Sequence, residues 1–234
     1  MQKGKFKIIY EDENLLVIDK PAGIVVFPEG KTKEKTIIDY LLENYPNLKN
    51  AGLSPRYGIV HRLDKDTSGI LLIAQNNETL SFLQKQFKEG KVIKQYLALV
   101  VGLPKNTEGL ISTLIGRSPQ NSKKQKVYLP FEPKAQGKRE AVTEYEVLKK
   151  IEKYALLKVS PKTGRKHQIR AHLAYLGHPI AGDKLYGFKN QACPKDLNRQ
   201  FLHANYLKIK LLDGGEKEFY SELPEELQKC LPKS

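Results

Sequence analysis

Charged and titratable side chains are concentrated in one short stretch, IVHRLDKDTSGILLIA at residues 59–74. His61, Arg62, Asp64 and Asp66 lie there between two apolar runs that are typical of buried strands. A turn between strands needs only a glycine and a polar residue or two, so this charge requires another explanation. Asp64 directly follows an apolar residue at the mouth of a strand-to-loop turn, where a carboxylate can act as nucleophile, general base or metal ligand.

Asp66 has a simpler interpretation than Asp64. Together with Thr67, it is expected to hydrogen-bond the turn backbone. An acid–base pair of Asp64 and Asp66, as in a nucleosidase or glycosidase, is a third reading of this stretch. Carboxylates two residues apart on an extended segment point to opposite sides, which argues against such a pair.

The histidines give little support to a metal enzyme. His61 has no potential ligand at suitable spacing nearby, so a hydrogen-bonded, structural role is expected. His167 and His172 are five residues apart, which is off the three-or-four step that places two side chains on one helix face. We therefore expect no metal.

A second constellation is SPKTGRKHQIRAHLAYLGHPIAGDKLYG at residues 160–187. A strand is predicted to end in its first residues, and a helix is predicted to follow that carries Arg165, Lys166, His167 and Arg170. Basic side chains and free amides at a helix N-terminus attract anions. The pattern predicts an anion site, with a solvated basic helix face as the alternative.

Tyr96, in KQYLALV, is the third candidate. A strand tyrosine usually packs in a core or against a neighbouring strand. At a cleft, its ring can instead stack on a base and its hydroxyl can exchange a proton.

The elements that must position these residues are mainly strands. Short helices are interspersed without a strict strand–helix–strand rhythm, which predicts an α+β fold with a mixed, mainly antiparallel sheet. Segment 104–140 is predicted to be a basic, loop-rich excursion within a single domain over 1–234. The predicted strands are KFKIIY, LLVIDK, VIKQYLALVVG, two in KREAVTEYEVLKKIEKYALLKVSP, and QFLHANYLKIKLL; the predicted helices are KTIIDYLLENY, NETLSFLQKQFKEG, KHQIRAHLAYLG and LPEELQKCL.

Composition favours a partner that is a polyanion. The chain of 234 residues has 40 Lys and Arg against 26 Asp and Glu, a formal net charge of +14. Basic side chains release counterions when they neutralise phosphates, although charge alone does not separate RNA, DNA and anionic membrane. No signal peptide or membrane span is apparent, and Cys193 and Cys230 are expected to be free thiols, so we expect a cytoplasmic protein.

Taken together, these motifs resemble the RluA family of pseudouridine synthases. HRLDKDTSGILLIA with Asp64, KQYLALVVG with Tyr96, TGRKHQIRAHLAYLGHPIAGDKLYG with Arg165, and FLHANYL occur in the family's order. The resemblance covers roughly residues 6–223, and it implies a sheet with helices on its outer faces and a cleft across the middle. The family usually has Thr where this chain has Lys166, and we expect no loss from that difference.

The resemblance implies isomerisation of uridine in RNA, without metal or cofactor. The uridine is flipped out of its stack, which costs a few kcal/mol. Asp64 would attack ribose carbon one or base carbon six. Tyr96 would stack on uracil and take the proton from carbon five, and Arg165 would keep Asp64 ionised. The substrate-binding residues implied by the resemblance are Arg62, which would replace the extruded base, His61 and Thr67, which would shape the loop, and Lys166, His167 and Arg170.

The RNA target is predicted at a coarser level. The segments LIGRSPQNSKKQKV and GKREAVTEYEVL look most like the branch that modifies large-subunit ribosomal RNA, with transfer RNA as the alternative. That branch usually carries a small RNA-binding domain before the first hairpin, which is expected to be missing here. A monomer is expected. The alternative from another class is an RNA-binding or RNA-folding protein without turnover, but Asp64 would only repel phosphate in such a protein.

Overall fold

A computed structural model describes residues 2–3, 6–28 and 34–231. The chain divides into two compact units. The first unit comprises Met1–Ile93 and Ala204–Glu222, and the second comprises Lys94–His203 and Leu223–Ser234. A single domain over the whole chain stays a prediction.

Eleven strands and four α-helices make up the described fold. The strands are β1 (Gln2–Lys3), β2 (Phe6–Glu11), β3 (Leu15–Lys20), β4 (Ser68–Ala74), β5 (Ile93–Val101), β6 (Glu108–Arg117), β7 (Gln125–Tyr128), β8 (Arg139–Ile151), β9 (Tyr154–Pro161), β10 (Leu202–Lys210) and β11 (Glu216–Tyr220). The helices are α1 (Ile37–Asn44), α2 (Asn77–Lys88), α3 (Gln168–Tyr175) and α4 (Glu225–Gln228). Among the described residues, no helix is both long and apolar enough to cross a membrane.

The first unit is a sheet in the order β1-β2-β3-β4-β10, with β11 paired to β10. Every residue of β4 is buried, because the apolar run SGILLIA is covered on both faces. One face packs with α1, whose start is capped by Asp39, which accepts hydrogen bonds at 2.8 Å from the backbone N–H and the hydroxyl of Thr36. The other face packs with α2, through Leu83 among others. Strand β4, which directly follows the loop that carries Asp64 (the Asp64 loop), is therefore packed on both faces.

The second unit has the strand order β5-β9-β8-β6-β7. Each of its described strand pairs is antiparallel. Helix α3 contributes Ile169 and Leu173 to the core of this unit. Two polar side chains of the same helix, Gln168 and His172, are also buried.

The predicted fold class is confirmed: the chain is α+β with a mainly antiparallel sheet. The cleft across the middle stays a prediction. Cys193 and Cys230 are free thiols, as expected. The loop-rich excursion at 104–140 stays a prediction, and within it lie the strands β6 and β7. Strand β6 buries alternate residues, but polar residues among them conceal the period of two in the sequence.

Candidate active site

The Asp64 loop belongs to the first unit and is held by buried residues on both sides of the carboxylate. Leu63 and Thr67 are 4% and 2% exposed. The Thr67 N–H donates a hydrogen bond of 3.1 Å to the backbone carbonyl of Asp64, which closes a tight turn. Asp64 itself is half-buried, whereas Asp66 is exposed. The turn-forming interpretation of Thr67 is thereby supported, and Asp64 is the carboxylate that the loop presents at its buried edge.

Lys20, at the end of β3, anchors this loop through its ammonium group. Its side chain is fully buried. Its ammonium donates hydrogen bonds to the carbonyls of Pro21, Ile24 and Lys65, at 2.7, 2.9 and 3.1 Å. An ammonium has three donors, and these carbonyls can satisfy all of them. The Gly23 N–H also binds the Lys65 carbonyl, at 2.9 Å, so the residue next to Asp64 is tied twice to the end of β3.

His61 joins the beginning of the loop to β4 and α2. Its Nε2 accepts a hydrogen bond of 3.0 Å from the Leu72 N–H, which requires the imidazole proton to be on Nδ1 if the ring is neutral. The ring stacks on Phe87 with centroids 4.8 Å apart. These contacts support the predicted structural role of His61.

Arg62 lies beside both Asp64 and an aromatic ring. Its guanidinium carbon is 5.5 Å from the centroid of Phe27, and the guanidinium carbon of Arg56 is 4.9 Å from the same centroid. Burial lowers the pKa of Arg62, and the nearby Asp64 carboxylate opposes that shift. The first unit thus places a cation in electrostatic contact with the candidate nucleophile.

The Arg165 loop belongs to the second unit and precedes α3. The prediction that Arg165, Lys166 and His167 are carried by the helix is wrong, because α3 begins at Gln168. His167 is the N-cap and has a φ of 55°, a left-handed conformation that interrupts helical geometry just before α3. Arg165 is instead tied to β8, since its Nε donates to the carbonyl of Glu140 at 2.8 Å.

Gln168 organises this loop from a buried position. Its Oε1 accepts hydrogen bonds from the Arg165 N–H at 2.9 Å and from the Thr163 hydroxyl at 2.8 Å. Its Nε2 donates to the carbonyl of Val142 and the hydroxyl of Thr143, both at 3.0 Å. All four hydrogen-bonding positions of the amide are used, so Gln168 connects the backbone of Arg165 to β8.

Tyr96 shares a face of β5 with a buried lysine. Lys94 is two residues before Tyr96, so both side chains point to the same side of the strand. Burial, and secondarily the positive charge of Arg165, lower the pKa of Lys94 to about 8. An ammonium with such a pKa can exchange a proton near neutral pH. The second unit therefore brings together a phenol, a titratable amine and a guanidinium.

Arg170 and His167 are engaged with the turn after α3. Arg170 forms two hydrogen bonds, of 2.7 and 2.9 Å, with the carboxylate of Asp183, which is fully buried. Asp183 also accepts from the N–H of Tyr186, whose hydroxyl lies 3.0 Å from Nδ1 of His167. Burial would raise the pKa of Asp183, but Arg170 and the backbone N–H groups outweigh it and leave the pKa lowered. This geometry favours a role for Arg170 in holding Tyr186 over direct contact with substrate.

The candidate residues are divided between the two units. The first unit carries His61, Arg62, Asp64 and Thr67, and the second carries Tyr96, Arg165, Lys166, His167 and Arg170. Sequence reasoning missed Lys20, Lys94 and Gln168. A period of two places Lys94 on the same face as the buried Ala98, and Lys20 ends an apolar strand. The burial of both lysines could therefore have been predicted from the sequence.

Comparison with known proteins identifies the family. The RNA pseudouridylate synthase family model matches residues 14–175, which include Asp64, Tyr96 and Arg165. A solved structure of human RNA pseudouridylate synthase domain containing 1 superposes with a TM-score of 0.77 at 26% identity, covering 100% of this chain and 94% of that one. Human RNA pseudouridylate synthase domain containing 4 gives 0.73 at 27% identity, covering 96% and 91%.

Curated bacterial relatives agree with this match. An uncharacterized RNA pseudouridine synthase of Aquifex aeolicus is 47% identical over 192 residues, which are 81% of this chain and 58% of the relative. Ribosomal large subunit pseudouridine synthase D of Borreliella burgdorferi is 42% identical over 219 residues, which are 93% and 65%. The protein of the same name from Pseudomonas aeruginosa is 35% identical over 236 residues, which are 96% and 70%. The chain thus spans somewhat less than two thirds of the length of the first two, and it belongs to the RNA pseudouridylate synthase family.

Proposed function

We propose that this chain isomerises specific uridines of structured RNA to pseudouridine, with Asp64 as the nucleophile. The observation that carries the proposal is the anchored loop that presents Asp64 beside Arg62, inside the segment that matches the family. A protein that only binds RNA gains nothing from a carboxylate in contact with phosphate. The elaborate anchoring of this loop by Lys20 is expected where a reactive group must be kept in one geometry.

The reaction needs no co-reactant. Attack by the Asp64 carboxylate, at ribose carbon one or base carbon six, allows the bond between ribose carbon one and uracil nitrogen one to break. The base then rotates, its carbon five bonds to ribose carbon one, and the bond to the Asp64 oxygen breaks, which returns the carboxylate. Carbon five loses its proton, and nitrogen one gains one, so product and substrate have the same atoms. Release of the proton from carbon five gives an assay that reports the chemical step.

Three residues assist Asp64 in this proposal. Tyr96 stacks on the uracil ring and accepts the proton from carbon five. Arg165 favours the ionised form of the nucleophile, since a nearby cation stabilises a carboxylate. Arg62 takes the place of the extruded base in the RNA stack. Its present neighbour, the ring of Phe27, offers a flat apolar surface similar to that of a base.

We propose large-subunit ribosomal RNA as the substrate, recognised by a monomer in the cytoplasm. Several relatives that are named ribosomal large subunit pseudouridine synthase D support this target. The net charge of +14 fits any polyanion and is compatible with it. A uridine in a loop is a better target than one in a helix, because it costs less to unstack. The substrate is therefore expected to be a stem-loop.

The test is tritium release from stem-loops that contain uridine labelled at carbon five. Purified protein is incubated separately with stem-loops of large-subunit ribosomal RNA and with transfer RNA anticodon arms. Release from the ribosomal stem-loops alone is expected. Release from the transfer RNA arms alone would contradict the proposed target but not the reaction, and no release from either, with RNA binding intact, would contradict the reaction.

A further inference from the structure

Two lysines of the second unit are held over one buried ring. The ammonium groups of Lys126 and Lys138 lie 5.0 and 5.3 Å from the centroid of Tyr128. Tyr128 is 1% exposed, so it provides a fixed support. A cation over a tyrosine ring is attracted to the ring's negative face, which restricts side chains that otherwise move freely on a surface.

Strand register and a glycine bring these two lysines together. Lys126 is paired with Gly116 across the β6–β7 ladder, on the same face as Tyr128. A Cβ at Gly116 would lie only 2.3 Å from Cδ of Lys138. The missing side chain therefore makes the space through which the stem of Lys138 reaches the ring.

In the part of the second unit that the structure describes, no ion pair neutralises the charge of Lys126 or Lys138. On β9, by contrast, Lys158 and Lys162 form ion pairs with Glu146 and Glu144 of β8. The face of the sheet near β7 thus keeps its positive charge, while the face near β9 does not.

Further cations lie between this pair of lysines and the candidate catalytic residues of the second unit. Arg139 follows Lys138 in the chain, and its side chain is exposed. Burial chiefly, and then the charge of Arg139, lower the pKa of Arg165, whereas the carboxylate of Glu140 opposes that shift. Burial, and then the charge of Arg165, likewise lower the pKa of Lys94. Strands β7, β8 and β5 and the loop before α3 therefore each carry a cation, with the Glu140 carboxylate close to Arg165.

We propose that Lys126 and Lys138 form a built binding site for the backbone phosphates of the RNA strand that flanks the target uridine. This inference rests on the proposed function. In this proposal, the strand leads from the Tyr128 pair past Arg139 to Arg165. An ammonium binds phosphate as a point charge, and two that share one support act on neighbouring phosphates.

The test compares variants that lose the same charge at different places. The double variant Lys126→Gln, Lys138→Gln is compared with the double variant Lys149→Gln, Lys150→Gln. Along the extended strand β8, Lys149 lies about 36 Å from Lys138. The probe is a short fluorescein-labelled RNA stem-loop with a uridine in its loop, and its affinity is measured by anisotropy across a salt series. Each lost phosphate contact on a single strand should reduce the log–log salt slope by about 0.7.

We expect the Lys126, Lys138 variant to bind about tenfold more weakly or worse, with a salt slope smaller by about 1.4. The control at Lys149 and Lys150 should lose less than about threefold. A second control, Lys123→Gln with Lys134→Gln, removes the same charge from the same segment without touching the ring. Equal losses in all three double variants would show diffuse attraction and overturn the inference.

A charge-neutral variant separates geometry from net charge. Gly116→Ala displaces the stem of Lys138 from the ring without removing a charge, and it should weaken binding by about threefold or more, with the fold unchanged by circular dichroism. Unchanged affinity would contradict the fixed geometry of the site. Because binding is measured without turnover, absence of pseudouridine with the expected loss of affinity would refute the proposed function and leave the phosphate site standing.

Discussion

The Asp64 loop of the first unit and the Arg165 loop of the second are each held by one buried polar side chain, but the two side chains are of opposite kinds. Lys20 is charged, and it donates to three backbone carbonyls. Gln168 is neutral, and it both donates and accepts. Removal of Lys20 is costly, because the carbonyls of Pro21 and Ile24 lose this donor at once. The loop of the candidate nucleophile should therefore be the more sensitive of the two.

The largest expected effect comes from Lys20→Met. The substitution removes the Lys20 donor from the carbonyls of Pro21 and Ile24 and leaves the Lys65 carbonyl with only the Gly23 N–H. We therefore expect the free energy of unfolding to fall by about 3–5 kcal/mol. Urea unfolding of the purified variant measures this. Lys65→Met is the matched control, since it removes a lysine of the same loop whose exposed ion pair with Glu34 contributes little.

The second-largest expected effect comes from acid, which should lower the free energy of unfolding through protonation of His172 in the second unit. His172 lies between the hydroxyls of Thr113 and Thr143, at 3.0 and 2.8 Å, and burial lowers its pKa to about 4 from an ordinary 6.5. The unfolded chain takes up this proton below pH 6.5 and the folded chain does so only near pH 4. The stabilisation is therefore present above pH 6.5 and is lost as the pH falls toward 4, by about 3 kcal/mol.

Comparison with His172→Gln isolates this contribution from other acid-sensitive groups. Urea unfolding from pH 7 to pH 4 should show a steeper loss of stability in the unsubstituted protein than in the variant. If the free energy of unfolding falls equally with pH in the two proteins, His172 does not have the lowered pKa in the folded state that its burial implies.

Gln168→Leu should have the smallest effect on stability. The side chain keeps its volume, but the Arg165 N–H loses its partner, while the Val142 carbonyl keeps the N–H of Lys162. We therefore expect a loss of about 2 kcal/mol in the free energy of unfolding. Gln136→Leu, at an exposed position of the same unit, should change stability by less than about 0.5 kcal/mol. A loss at Gln168 as large as that at Lys20 would contradict the difference drawn between the two loops.

Regular elements with clear periodicity could be predicted from the sequence. The hairpin of β2 and β3, the helices α1 and α2, and the long strands β8 and β9 all follow from apolar spacing and turn residues. Strands β6 and β7 were not predicted, because polar residues interrupt the apolar ones of β6 and because β7 has only four residues. Strand β6 pairs with β8, which is distant in sequence, and β7 pairs with β6. The start of α3 was misplaced because the left-handed backbone at His167 has no glycine to signal it.

The supporting residues of the candidate site were harder to predict than the reactive ones. Asp64 stands out because charge interrupts apolar strands. Lys20 and Gln168 look like surface residues, and only their partners, which are distant in sequence or are backbone groups, make burial favourable. The end of an apolar strand could have indicated that Lys20 is buried, but the hydrogen-bond partners of Lys20 and Gln168 become apparent only when the three-dimensional positions of carbonyls and hydroxyls are known.

The most direct test of the account is tritium release by Asp64→Asn on a stem-loop that the unsubstituted protein modifies, with Asp66→Asn as the matched control. The amide of Asn is a poor nucleophile but nearly the same size as the carboxylate, so the loop should fold and RNA should still bind. We predict that Asp64→Asn abolishes tritium release and that Asp66→Asn, at an exposed position, keeps most of it. Tritium release by Asp64→Asn near the unsubstituted rate would contradict Asp64 as the nucleophile.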